Sequence, residues 1–383
     1  MKKQLFCIVS GILLMTASIL AQTSSPVPQT SNPEAQASSP VPQTSNPEAQ
    51  ASSPAPEAES SEPQKDSPVP QKDDPVMTEP CQLTYSIFFP AEHGQCKAAI
   101  AWAKQVELRT NGQVKITVFP GGKLTDAKQC YDGVVRGKSD IGMSCFAYTR
   151  DRFPVMEAVD LPLGYPNGLV ATRVVNAFYQ QVNPRELSDV KVMYLHAHGP
   201  GLLHTNKPVQ YLPDLYQMKI RSTGLSAKII EALGAIPVAM PQGDTYKSLQ
   251  KGIVAGTFGP MEVLKGWRQA EVIRYSTNCK QIGYTTAMFV VMNRTKWSSL
   301  PKNIQETITI VNQEWSDVHG LAWDALDDQG RDFSIQNKNF IFELSDKEVE
   351  KWKKAIEQVM YHYLDKTQVK TYRVKPILIA YIN

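Results

Sequence analysis

Arginine 221 lies at a junction in MKIRSTGLSAKIIEALG, residues 218–234. Lys219 and Ile220 alternate as a strand does, and Leu225 to Gly234 reads as a short helix closed by a glycine. A guanidinium presents parallel N–H groups that match a carboxylate, and it stays charged when water is removed. The carboxyl end of a strand is where open α/β sheets receive ligands, and the following helix points its positive end to the same place. The chemistry on offer is capture of an organic anion. The plainer alternative is a structural arginine paired with an acid of its own lobe.

Other candidates are weaker. HAHGPGLLH carries His196, His198 and His204. Two histidines two apart on a strand share a face and could hold zinc with a third, but the HGPG turn intervenes and no carboxylate accompanies them. Cys145 beside Phe146 has the form of a nucleophile, yet no histidine is placed for it. HExxH, GxSxG and P-loop patterns are absent. No cofactor or metal is expected, and a secreted metal-dependent enzyme remains the remote alternative.

The elements that must position these residues alternate from Leu83 onward. LTYSIFF reads as a strand, Gln95 to Thr110 as a helix with Ile100, Trp102, Ala103 and Val106 apolar, and KITVF as a strand after an Asn-Gly turn. LTDAKQCYDGVVRG reads as a helix and DIGMSCF as a strand, so the order is βαβα, the sign of a mostly parallel sheet. KVMYLHA, PVQYL, QMKIR, IPVAM and AMFVVMN read as further strands. Leu300 to Gly330 is one long helical pattern, and SDKEVEKWKKAIEQVMYHYL closes the series, with Ser345 as N-cap and Glu348 at the capping-box position.

The 383 residues, 42% of them hydrophobic, suffice for a sizeable core in two lobes. Residues 1–21, with Lys2, Lys3 and an apolar run from Leu5 to Leu20, have the layout of a secretory signal cut after Ala21. Left uncut, the run would act as a tether. Residues 22–80 repeat SSPVPQTSNPEAQA and read as a disordered Pro-rich linker. The linker carries a net charge of −7 and residues 81–383 carry +8, a field that favours anions. No arginine-rich run or aromatic platform points to nucleic acid. Once Cys7 leaves with the signal, five cysteines remain, an odd number for an oxidising compartment.

Four segments, WAKQVELRTNGQVKITVFPGGKL, GKSDIGMSCFAYTRDRFPVMEAVDLPLGYP, KIRSTGLSAKIIEALGAIPVAMPQGDTYKSLQKGIVAG and LPKNIQETI, resemble the extracytoplasmic solute-binding subunits of TRAP transporters, the DctP family. The likeness runs in order from about Leu83 to Leu364. It implies an α/β two-lobed periplasmic-binding-protein fold, type II-like, with a long helix spanning both lobes. Crossings are expected near His198, Tyr284 and Asp324. Lobe I would take 81–198 plus 285–324, lobe II 199–284 plus 325–366, and 367–383 a tail. Such a protein is not an enzyme. In the periplasm it captures a small organic acid and passes it to membrane permease subunits; presenting the acid to a signalling receptor is the alternative.

The resemblance also implies that Arg221 holds the ligand carboxylate. Some relatives carry a second arginine where this chain has Gly201 and an asparagine where it has Gly259. One cation among apolar walls implies a monocarboxylate with an apolar or aromatic body, because a second carboxylate would lie unpaired at a cost of about 1–3 kcal/mol. Phe258 and Met261 would shape the wall, with Phe89, His93, Phe146 and Tyr148 facing them from strand ends of the first lobe. His93, Tyr148, Thr285 or Thr286 could add polar contacts. Trp102, Trp267, Trp297, Trp315 and Trp323 fit packing positions.

Overall fold

The computed structural model describes residues 79–149 and 151–366. The signal, the Pro-rich linker up to residue 78 and the tail lie outside them. The strands are β1 (Cys81–Ile87), β2 (Val114–Phe119), β3 (Ile141–Cys145), β4 (Val190–Ala197), β5 (Leu202–Thr205), β6 (Lys219–Ser222), β7 (Ile236–Ala239), β8 (Gly256–Gly259), β9 (Tyr275–Asn278), β10 (Ala287–Asn293) and β11 (Phe340–Glu343). The helices are α1 (Gly94–Arg109), α2 (Cys130–Val135), α3 (Gly168–Val182), α4 (Leu225–Ala232), α5 (Thr245–Gln250), α6 (Val263–Gly266), α7 (Arg294–Ser298), α8 (Lys302–Gln336) and α9 (Asp346–Lys366).

These strands form two sheets, each the centre of one lobe. The first has the order β2-β1-β3-β10-β4 and the second β11-β9-β5-β8-β6-β7. Both are mixed rather than mostly parallel: β10 runs antiparallel to β3 and β4, and β5 antiparallel to β8 and β9. An antiparallel β10 presents its beginning where β1 and β3 present their ends, so all three deliver residues to one edge of the sheet.

The chain leaves the first sheet after Ala197, enters the second at Leu202, and returns between Asn278 and Ala287. These two crossings bond to each other, Gly201 N donating to Tyr284 O at 2.9 Å and Thr285 Oγ1 to His198 O at 2.6 Å. Helix α8, 35 residues and about 52 Å long, touches both sides. It packs on α1, α3 and β4 of the first lobe and on α6 of the second. Trp102 Nε1 donates to Asn312 on its inner face, and Trp315 Nε1 donates to Ala98 O. One turn apart, Asp324 accepts the Gly168 N–H at the start of α3 and Asp327 accepts the Glu262 N–H of the second lobe.

Local departures from the sequence pattern have local causes. PVQYL is not a strand: Asp214 accepts the N–H groups of Gln210 and Tyr211 and folds the segment into a turn. The helix expected over LTDAKQCYDGVVRG shortens to α2, because Asp126 takes the N–H groups of Lys128 and Gln129. Ile100 is exposed while Cys96, Ala99, Trp102 and Val106 form the buried stripe of α1. The capping box of α9 is half made. Ser345 receives the Glu348 N–H, but the Glu348 carboxylate goes to Leu212 N and Lys351 instead.

Candidate functional site

The two sheets turn their functional edges toward one small cavity of about 40 Å³. From the first lobe it is lined by Phe88 beyond β1, Cys145 at the end of β3 and Tyr148 after it, His198 after β4, Thr286 and Met288 at the start of β10, and Trp323 of α8. The second lobe and the return crossing supply Arg221 and Thr223 at the end of β6, Gln242, Gly259 and Pro260 at the end of β8, Glu262, Val263, Trp267 and Tyr284.

Arg221 is 5% exposed, and β6 holds it between β7 and β8, opposite Val238 and Thr257. Its Nε and Nη2 donate to the Met240 carbonyl at 3.1 and 2.9 Å. That fixes one edge of the guanidinium and leaves the Nη1–Nη2 edge for a ligand. No carboxylate among the described residues pairs with it, so the structural alternative lacks its acid. A buried cation without a counter-ion is costly unless a ligand supplies one.

Gly224, three residues on, explains how the lobes close on this charge. Gly224 has φ +52°, and a Cβ there would lie 2.8 Å from the Ala147 Cβ of the first lobe. Only glycine combines that backbone with that approach. Next to Ala147, the Tyr148 hydroxyl accepts the Gln242 N–H at 3.1 Å, a direct bond between lobes. His93 makes another. Its Nδ1 accepts the Gln95 N–H as N-cap of α1, so its proton is on Nε2, which donates to Glu262 Oε1 at 2.5 Å.

Tyr148, Arg221 and Thr286 thus meet at the cavity, while Phe146, Phe258, Phe89, His93 and Met261 stand outside its lining. Phe146 packs on Phe153 and Phe289, and Phe258 packs tilted on Tyr284, ring centroids 4.5 Å apart. Phe89 lies against His93 and Trp323, while Met261 is buried in the core with its backbone against Gly330. One residue of register separates Phe89 from Phe88, which faces the cavity and stacks with Trp267 at 6.1 Å and 13°. Trp267 and Trp323, read from sequence as packing, are walls of the site. Their helical and turn positions gave no sign of this, since both depend on how the lobes meet.

The glycines are also explained. A Cβ at Gly201 would lie 1.9 Å from Tyr284 Cε1, so the Tyr284 ring fills the space a second arginine would need. The Tyr284 hydroxyl is anchored to Phe258 O at 2.8 Å. Gly259 has room, its nearest neighbour being Val263 at 3.4 Å.

The three histidines of HAHGPGLLH have separate tasks. His196 Nδ1 accepts from Trp323 Nε1, whereas His204 bonds Ser276 and the carbonyls of Gly259 and Pro260. His198 Nδ1 donates to Gly199 O. Burial holds the His198 imidazole neutral, pushing its pKa down to about 4, with Arg221 adding to the effect. Burial also raises the Cys145 thiol far above its ordinary range, which removes it as a nucleophile. The five cysteines among the described residues, Cys81, Cys96, Cys130, Cys145 and Cys279, are free thiols. A larger hollow of about 450 Å³ lies near α7, lined by Arg185, Lys191, Arg294 and Trp297. Arg294 there donates to Ser188 O and Lys191 lies over the Trp297 ring, and the hollow receives nothing from the second lobe.

Comparison with known proteins places this arrangement. A TRAP solute-binding protein from Rhodoferax ferrireducens, solved with copurified benzoate, is 25% identical with a TM-score of 0.75, over 79% of this chain and 97% of that one. A marine metagenome TRAP solute-binding protein specific for aromatic acid ligands, co-crystallised with 3-hydroxybenzoate, is 26% identical with a TM-score of 0.76, over 80% and 100%. The C4-dicarboxylate-binding periplasmic protein DctP of Rhodobacter capsulatus is 24% identical over 262 residues, 65% of this chain and 76% of that protein. Proteins of this kind are periplasmic receptors rather than enzymes. Residues 85–367 match the family described as bacterial extracellular solute-binding protein, family 7, and the chain belongs to it: a TRAP transporter solute-binding protein of the DctP family.

Proposed function

We propose that the protein captures a monocarboxylate with an aromatic or apolar body and delivers it to the membrane permease subunits of a TRAP transporter. The observation that carries this reading is the free Nη1–Nη2 edge of buried Arg221, without a carboxylate partner among the described residues, in a cavity walled by Phe88, Tyr148, Trp267, Tyr284 and Trp323. The carboxylate binds Arg221 in bidentate fashion, and the body stacks among the rings. Two features disfavour a second ligand carboxylate: the Tyr284 ring over Gly201, and the Glu262 carboxylate on the cavity wall. The benzoate and 3-hydroxybenzoate complexes of the two similar structures support the same class.

At about 40 Å³ the cavity is far below the roughly 300 Å³ of a small ligand pocket, so entry requires the lobes to part. The lobes take the boundaries drawn from the sequence, 81–198 plus 285–324 and 199–284 plus 325–366. They hinge at the two crossings, and contacts from both to the ligand favour closure. The N-terminal segment exports the protein to the periplasm. Among the described residues no helix is long and apolar enough to cross a membrane.

A thermal-shift screen of the full chain against aromatic and aliphatic monocarboxylates, dicarboxylates, sugars and metal ions tests the reading. Ligand at a hundred times its Kd stabilises by about 2.7 kcal/mol, a shift of a few degrees. Aromatic monocarboxylates should lead. Dicarboxylates or sugars in first place would overturn the assignment.

A further inference from the structure

Three polar groups on the cavity wall have hydrogen-bonding capacity that the protein leaves unused. Arg221 offers N–H donors along its free edge. Gln242 is 7% exposed, and its side-chain Nε2 is buried without a partner among the described residues. His198 is the third and differs in kind. Because a carbonyl can only accept, the bond to Gly199 O puts the ring proton on Nδ1. Nε2 is then a bare acceptor, and it meets no protein donor among the described residues.

A simple carboxylate brings acceptors alone. It satisfies Arg221 and Gln242 and leaves the His198 lone pair dry and unpaired. Threonine and tyrosine hydroxyls such as Thr286 and Tyr148 can rotate to give or to take, but His198 cannot, because its tautomer is fixed by Gly199. The ligand must therefore bring a donor. An ammonium group is a poor one here, since the Arg221 charge already acts on the His198 ring and would oppose a second cation beside it. The one carboxylate on the wall, Glu262, accepts the His93 N–H through Oε1. A neutral hydroxyl fits.

We propose that the acid bound by this protein carries a hydroxyl in addition to its carboxylate, that His198 Nε2 accepts the hydroxyl hydrogen, and that the Gln242 amide donates to an oxygen of the same ligand. This rests on Arg221 as the carboxylate anchor and narrows the substrate class to aromatic or apolar hydroxy acids. His198 is the residue that sets the preference.

Titration calorimetry on the full chain tests it with matched acids: phenylacetate, mandelate and phenylglycine, and benzoate against its 2-, 3- and 4-hydroxy forms. At least one hydroxy acid should bind about tenfold more tightly than its parent, the gap should fall below about threefold in His198→Leu, and His198→Gln, which restores an acceptor, should recover part of it. The Gln variant carries the test if the Leu variant does not fold. The proposal is overturned if no hydroxy acid exceeds its parent, if the gap survives in both variants, or if phenylglycine binds best. Failure of every acid to bind would instead strike at the Arg221 reading itself.

Discussion

The second lobe brings charge and amide groups to the cleft, in Arg221, Gln242 and Glu262, beside the rings of Trp267 and, from the return crossing, Tyr284, whereas the first brings almost only rings, in Phe88, Tyr148, His198 and Trp323. The charged wall is held by backbone: the Met240 carbonyl fixes the Arg221 edge, and Asp327 of α8 holds the Glu262 N–H. The ring wall is held by packing, ring on ring. On the proposed function, one wall would decide whether an acid binds at all, and the other which acid. Changes on the charged side should abolish binding, while changes on the ring side should reorder ligands.

Arg221→Ala is the harshest test of that division. It removes a charge-assisted bidentate contact, so affinity for every acid should fall at least a hundredfold, about 3 kcal/mol, in titration calorimetry. The melting temperature without ligand should hold or rise, because a buried charge is removed. Retained affinity would end the division of labour.

The ring side has its own pH signature. His319 on α8 stacks on His196 at 4.6 Å, bonds Gln95 and Tyr194, and has its pKa pushed by burial to about 3. A histidine held neutral contributes stability that is complete above the unfolded value of about 6.5 and is lost as pH falls toward the folded value. Replacing it by glutamine removes that loss. The stability gap between wild type and His319→Gln, from urea unfolding, should narrow by about 2–3 kcal/mol between pH 7 and pH 4.5. A constant gap would show that the ring is not held neutral.

Gly201→Arg probes the boundary between the walls. Alone it collides with Tyr284 and should cost about 1–3 kcal/mol by overpacking, read as a lowered melting temperature. Combined with Tyr284→Ser, which clears the space, it should move the ligand ranking toward dicarboxylates. Phe88→Leu should have the smallest effect, weakening aromatic acids by about 1 kcal/mol relative to aliphatic ones. An equal loss for both would make Phe88 a packing residue.

What could be read from the sequence follows the same division. Arg221 was legible because a strand end, a following helix and a cation coincide within a few residues. Phe88 was missed in favour of Phe89 because a strand pattern gives alternation but not where it ends, and one residue of slip reverses the face. Trp267 and Trp323 were missed because their exposure to the cavity is created by lobe contact rather than by local pattern. The short strands β5, β8, β9 and β11 escaped for a related reason. Each has four residues, and GTFG and LLHT carry no alternation that sets them apart.

The bonds between the two crossings have a mechanical meaning. Two separate threads joining two bodies permit twist, slide and bend. Threads stitched at Gly201–Tyr284 and His198–Thr285 behave as a ribbon, stiff in its own plane and compliant across it. With α8 as a third link between the lobes, opening is then expected to follow one axis, the angle between the lobes becoming a single coordinate that the ligand of the proposed function would set from inside. A partner resting on the outer faces of both lobes can read the occupancy of the cleft as a distance, without ever touching the acid.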